Sequence, residues 1–152
     1  MATFQKRPST PDEALQKLER FCAYRERCPK EVRSKLAELG LSRADAEQIF
    51  EVLREDNFFN EERFAMAYAT GKFRSNQWGR VRIRQELKMR SIAPEFIVQA
   101  LDSIDQTEYE TLLRKLLDKK RQQYASDHNV REKTAASLIR AGFEMDLVFR
   151  FL

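Results

Sequence analysis

Apolar residues recur along the chain three or four positions apart, the period of a helix with one buried face, and the pattern itself repeats. Sliding the sequence against itself brings it into register at 51 residues, twice over. Val32, Ile83 and Thr134 share one column, Leu36, Leu87 and Leu138 the next, and Leu41, Ile92 and Phe143 a third, just after Gly40, Ser91 and Gly142. The register continues through Ala46, Ile97 and Val148, then Ile49, Ala100 and Phe151, then Phe50, Leu101 and Leu152, at steps that place these columns on one helical face. Thr134 is the one polar member. A further amphipathic segment precedes each matched pair: Ala14, Leu15, Leu18, Phe21 and Cys22; Phe64, Ala65 and Tyr68; and Tyr109, Leu112, Leu113, Leu116 and Leu117. Each copy therefore reads as three helices.

Polar punctuation fits those helices. Thr10 ahead of Pro11-Asp12-Glu13, Ser42, Asn60 and Asp105 each offer a side-chain oxygen to the orphan N–H groups of a helix start, and Ala93-Pro94 opens another helix with proline in its first turn. Gly40 and Gly142 supply the left-handed residue that ends a middle helix. The predicted fold is all-α, three tandem three-helix repeats in an elongated, solenoid-like arrangement. A flexible N-terminus is expected over 1–10, with repeats over 11–56, 57–104 and 105–152.

Composition narrows the picture further. Four glycines and four prolines in 152 residues are too few for the turns of an all-β fold, and 11 phenylalanines supply core material. Cys22 and Cys28 are expected to be free thiols. No apolar run follows Lys6 and Arg7, and no stretch approaches the ~20 apolar residues of a membrane span, so a cytoplasmic protein away from the membrane is expected; a monomer is expected as well.

The net charge of +4 matters less than its distribution. Lys72, Arg74, Arg80, Arg82, Arg84, Lys88 and Arg90 fall within 72–90 with Glu86 as the only acid, a local charge of +6. Arg80, Arg84 and Lys88 step by four along one stripe beside Ile83 and Leu87. Their counterparts are Pro29, Arg33 and Ala37 in the first copy and Arg131, Ala135 and Ile139 in the third, so packing of the repeat does not demand the full stripe. It reads as a solvated face or as a contact with an acidic surface or a phosphate backbone. Arg82 lies four residues before Glu86 and is open to a surface ion pair. Trp78 is placed either to stack on single-stranded nucleic acid or to pack back on the helix that Gly79 opens. These eight residues, Lys72, Arg74, Trp78, Arg80, Arg82, Arg84, Lys88 and Arg90, are the candidate contact surface for a partner or nucleic acid.

Catalytic patterns are weak. The single His128 has no second ligand at metal spacing and no nucleophile system to join, Gly71-Lys72 lacks the rest of a phosphate loop, and Glu86-Leu87-Lys88 lies in a helix that uses Leu87 for its core. No catalytic residue, metal or cofactor is expected, and the chain is read as a binding protein.

Asn57-Phe58-Phe59-Asn60-Glu61-Glu62-Arg63-Phe64-Ala65, then Tyr68, then Trp78-Gly79-Arg80-Val81-Arg82-Ile83-Arg84-Gln85-Glu86-Leu87 resembles the signature of the bacterial RecX regulators. The second element of that signature, Gly-x-x-Arg-Ile-x-x-Glu-Leu, is matched at Gly79, Arg82, Ile83, Glu86 and Leu87. Asn57 stands for the usual glycine, a change that asparagine's tolerance of positive φ permits; Phe58-Phe59 replaces Tyr-Leu, and Ser91 stands where glycine is common. The resemblance spans roughly 14–152. It implies a triple three-helix fold and a non-enzymatic role: binding in the groove of the RecA filament on single-stranded DNA and inhibiting the recombinase during DNA repair, recombination and the SOS response. A helical nucleic-acid-binding protein that acts without RecA is the alternative.

Overall fold

The computed structural model describes residues 7–152, and its regular structure there consists of nine α-helices. They are α1 (Pro11–Tyr24), α2 (Pro29–Ala37), α3 (Arg43–Glu55), α4 (Glu61–Asn76), α5 (Arg80–Met89), α6 (Pro94–Asp102), α7 (Gln106–Gln123), α8 (Val130–Arg140) and α9 (Met145–Phe151). Of the segment expected to be flexible, residues 1–6 lie outside the described residues; in the remainder Ser9 donates its N–H to the Leu39 carbonyl at 2.9 Å.

Local chemistry sets the helix ends. The side chains of Thr10, Ser42, Asn60 and Asp105 each accept from the backbone N–H three residues on, at 2.8–3.2 Å, and Pro11, Pro29 and Pro94 occupy first turns where a missing N–H is harmless. The middle helices stop at Gly40 (φ +70°), Ser91 (φ +59°) and Gly142 (φ +100°). Ser91 and Asn57 (φ +59°) therefore do the conformational work of glycine despite carrying a side chain.

The described chain packs as two units, one through Phe64 and one from Ala65 to Leu152. In the first, α1–α3 bury Ala14, Leu18, Cys22, Val32, Leu36, Ile49, Phe50 and Leu53, and Phe59 closes the cluster against the Phe50 ring at 4.9 Å between centroids. In the second, the same columns are buried at Ile83, Leu87, Ile92, Ile97, Ala100 and Leu101 and again at Thr134, Leu138, Phe143 and Val148. Apolar burial at about 25 cal/mol per Å² drives both, and the register repeats because each unit needs the same face. Thr134 is fully buried, and its Oγ1 has no hydrogen-bond partner among the described residues.

Within the second unit α5 docks on the turn between α8 and α9. Gly79 and Val81 donate their N–H groups to the carbonyls of Ala141 and Gly142, both at 2.9 Å, and the Arg80 N–H donates to the Tyr109 hydroxyl at 3.0 Å. Orphan donors of one helix start thus meet free carbonyls of another helix end. A Cβ on Gly79 would lie 2.3 Å from the Gly142 carbonyl, so only glycine permits this approach. Tyr109 is fully buried between Phe73 and Phe143, and its hydroxyl donates to the Glu144 carboxylate; burial, then that carboxylate, pushes its ionisation well above the usual tyrosine range.

Candidate functional site

The basic run lies on the end of α4, the turn after it and α5, and helix geometry sends its members in different directions. Arg80 points inward. Its guanidinium donates to the carbonyls of Leu101 (3.3 Å) and Ile104 (3.0 Å) and to Gln106 Oε1 (3.0 Å), and it lies 4.0 Å from the Tyr109 ring centroid. The argument that repeat packing does not need the stripe therefore fails at Arg80: this side chain ties α5 to the α6–α7 connection through backbone carbonyls.

The flank of α5 that faces α4 carries a ladder of alternating cations and rings. Arg90 lies 4.7 Å from the Tyr68 ring centroid, Lys72 Nζ lies 5.5 Å from Tyr68 and 5.0 Å from Trp78, and Arg82 lies 4.0 Å from Trp78. Ring quadrupoles hold the three cations in place, at about 0.5–1 kcal/mol per exposed pair. Trp78 does pack back on its helix, but against the guanidinium of Arg82. Glu86, expected beside Arg82, pairs with Arg90 at 3.0 Å. Tyr68 was legible only as a core position; its place four residues before Lys72 was the available sign of a role in the ladder.

The other flank belongs to Arg84 and Lys88. Both are exposed and form no ion pair among the described residues. Arg74, at the end of α4, is exposed and pairs with Glu108 at 3.3 Å. The eight predicted residues thus divide into an internal tie (Arg80), a ring-supported group (Lys72, Trp78, Arg82, Arg90), an open pair (Arg84, Lys88) and a surface ion pair (Arg74).

The remaining reactive groups are placed for structure. Cys22 and Cys28 are free and buried, and burial pushes both thiols up. Among the described residues no cluster of three His, Cys, Asp or Glu side chains is arranged to hold a metal ion, and no helix is long and apolar enough to cross a membrane. Gly79, Ile83 and Leu87 of the signature are buried, and Glu86 is engaged by Arg90.

Comparison with known proteins agrees with this architecture. Residues 60–101 match the family model described as RecX, second three-helix domain, and residues 107–152 match that of the RecX third three-helix domain. Regulatory protein RecX of Clostridium perfringens (strain 13 / Type A) is 27% identical over 121 residues, covering 77% of this chain and 56% of that protein. Regulatory protein RecX of Geobacillus sp. (strain WCH70) is 28% identical over 134 residues, covering 87% and 49%. The chain spans about half the length of the curated relatives it matches. The crystal structure of RecX from Lactobacillus salivarius has a TM-score of 0.84 at 21% identity and covers 93% of each chain; another crystal structure of regulatory protein RecX has a TM-score of 0.80 at 20% identity, covering 93% of this chain and 72% of that one. Those two likenesses speak for the fold, and the matched domains, which together cover more than half of the sequence, speak for descent: the chain belongs to the RecX family of regulatory proteins.

Proposed function

We propose that this chain is a non-enzymatic cytoplasmic regulator that binds, as a monomer, to RecA assembled on single-stranded DNA and inhibits its ATPase and strand-exchange activities in DNA repair, recombination and the SOS response. The observation that carries this reading is the division of the basic run within a RecX-family fold. The fold consumes Arg80, while Arg82 and Arg90, with Lys72 of α4 beside them, stand on one flank of α5 and Arg84 and Lys88 on the other, an arrangement suited to a groove lined by acidic protein and DNA phosphate. The test is RecA ATPase on single-stranded DNA with the chain added below stoichiometry. ATP turnover should fall, and unchanged turnover with a folded chain would overturn the proposal.

The ring–cation ladder favours a second reading, direct binding of single-stranded nucleic acid without RecA. Salt separates the two. Direct phosphate binding should weaken with a log–log slope of about −0.7 per phosphate neutralised, whereas a filament contact made chiefly to protein leaves naked-strand binding weak at every salt concentration.

A further inference from the structure

The three repeats solve the same outer seam, between their second and third helices, in three ways. In the first, Arg33 Nη1 lies 2.6 Å from Glu47 Oε1 and the guanidinium lies 3.8 Å from the Phe50 ring centroid, so cation, carboxylate and ring satisfy one another. Fifty-one residues on, the positions hold Arg84, Val98 and Leu101. The cation is kept, but the carboxylate is replaced by a valine that is 57% exposed. In the third repeat they hold Ala135, Phe149 and Leu152, and none of the three positions is charged. The row of α5 that carries Arg84 does face α6, because Arg80, one turn earlier on that row, reaches the Leu101 and Ile104 carbonyls.

We infer that the α5–α6 seam is a docking site for a protein segment that brings one carboxylate to Arg84, in the position Glu47 fills in the first repeat, and an apolar side chain to Val98. Lys88, exposed one turn further along the row, adds to the attraction. Glu95 and Asp102 decide against a polyanion. Both are exposed on the face of α6 that carries Val98, three residues before it and four after, and neither is paired with Arg84 or Lys88. A nucleic-acid strand has a phosphate at every nucleotide and would meet these acids on either side of Val98; a peptide carrying a single carboxylate among neutral residues avoids them. The ladder on the opposite flank holds one acid, Glu86, already paired with Arg90, where the seam has two that are unpaired among the described residues. This inference rests on the filament reading above for the identity of its partner.

The test closes the seam from within. Val98→Glu gives the second repeat the carboxylate of the first, at an exposed helix position where glutamate is well tolerated, so thermal melting should be close to the parent's. Val98→Gln removes the apolar contact without adding charge. Two measurements follow: titration of the introduced carboxyl by NMR, with and without Arg84→Ala, and binding of each variant to RecA filaments assembled on oligo-dT and to oligo-dT alone. Glu95 and Asp102 on the same face push the introduced carboxyl up and Arg84 pulls it down, so its titration should lie lower with Arg84 present than with Arg84→Ala, a comparison in which the two acids are common to both. Filament affinity should fall by about tenfold for Val98→Glu and by less for Val98→Gln, with binding to bare oligo-dT unchanged. A carboxyl whose titration does not respond to Arg84→Ala overturns the seam geometry. Parental filament affinity overturns the docking site alone, since the wild-type chain still binds. A matching loss on bare oligo-dT assigns the seam to nucleic acid instead, and a wild-type chain that does not bind filaments overturns the partner and this assignment with it.

Discussion

Replacing Arg80 with alanine should destabilise the second unit, although the residue sits in a basic stripe whose other members, Arg84 and Lys88, form no ion pair among the described residues. The side chain donates two hydrogen bonds to half-buried carbonyls, those of Leu101 and Ile104, and one to the exposed Gln106 amide, and it covers one face of Tyr109. Charge-assisted bonds to half-buried acceptors contribute about 1–1.5 kcal/mol each, the exposed one little, and the ring contact about 0.5–1 kcal/mol. Their sum is about 3 kcal/mol. In a chain of this size that lowers the melting temperature by about 6–12 °C. Urea unfolding followed by circular dichroism should show the midpoint shifted with the slope unchanged. Arg80→Lys should recover only part of the loss, because an ammonium on a flexible stem cannot serve three acceptors in the fork geometry of a guanidinium. Arg84→Glu is the contrast and should stay within about 0.5 kcal/mol of the parent. An Arg80→Ala variant as stable as Arg84→Glu would refute the reasoning and return Arg80 to the free stripe.

Thr134→Val should stabilise the protein by about 1 kcal/mol, since it removes an unpartnered buried hydroxyl and installs the residue type that the other copies carry at Val32 and Ile83; urea titration checks it. Gly79→Ala should cost about 3 kcal/mol by driving the α5 start off the Ala141 and Gly142 carbonyls, a loss visible in thermal melting and in faster amide exchange at Val81. Burial raises Tyr68 and, far more, Tyr109, so ultraviolet titration should show a tyrosine that ionises only as the fold opens, and Tyr109→Phe should abolish that step. The native ionisation of Tyr109 lies above its unfolded value of about 10, so its contribution is complete below about pH 10 and is lost as pH climbs beyond that; Tyr109→Phe should flatten this alkaline decline.

The helices were legible because their determinants are local. Thr10, Ser42, Asn60 and Asp105 all cap as their residue types and positions predicted, and the 51-residue columns are the buried faces. Gly40 and Gly142 end middle helices as expected, and so does Ser91, which shows that the register places the stop even where the residue type argues against it. The site was legible only as a concentration of charge. Arg80 binds carbonyls 21 and 24 residues away, and a backbone carbonyl leaves no mark in a sequence. Tyr68 looked like a core residue because a ring half covered by cations has the same helical spacing as one covered by apolar side chains.

Helical period explains why one basic run became several surfaces, and it also separates what identifies this family from what would serve its function. Within Gly-x-x-Arg-Ile-x-x-Glu-Leu, Gly79, Ile83 and Leu87 are buried, Glu86 is engaged by Arg90, and Arg82 is stacked on Trp78. Those residues fix how α5 seats on its neighbours. The signature leaves position 84 open, and Lys72 and Lys88 lie outside it, so these are the cations that can change without disturbing that seat. A relative could keep every signature residue, fold identically and present a different charge on both flanks of α5. Specificity for a partner must therefore be sought in the unspecified positions, and the repeat supplies the comparison: Arg33 with Glu47 in the first copy is the closed form of the seam that Arg84 and Val98 leave open in the second.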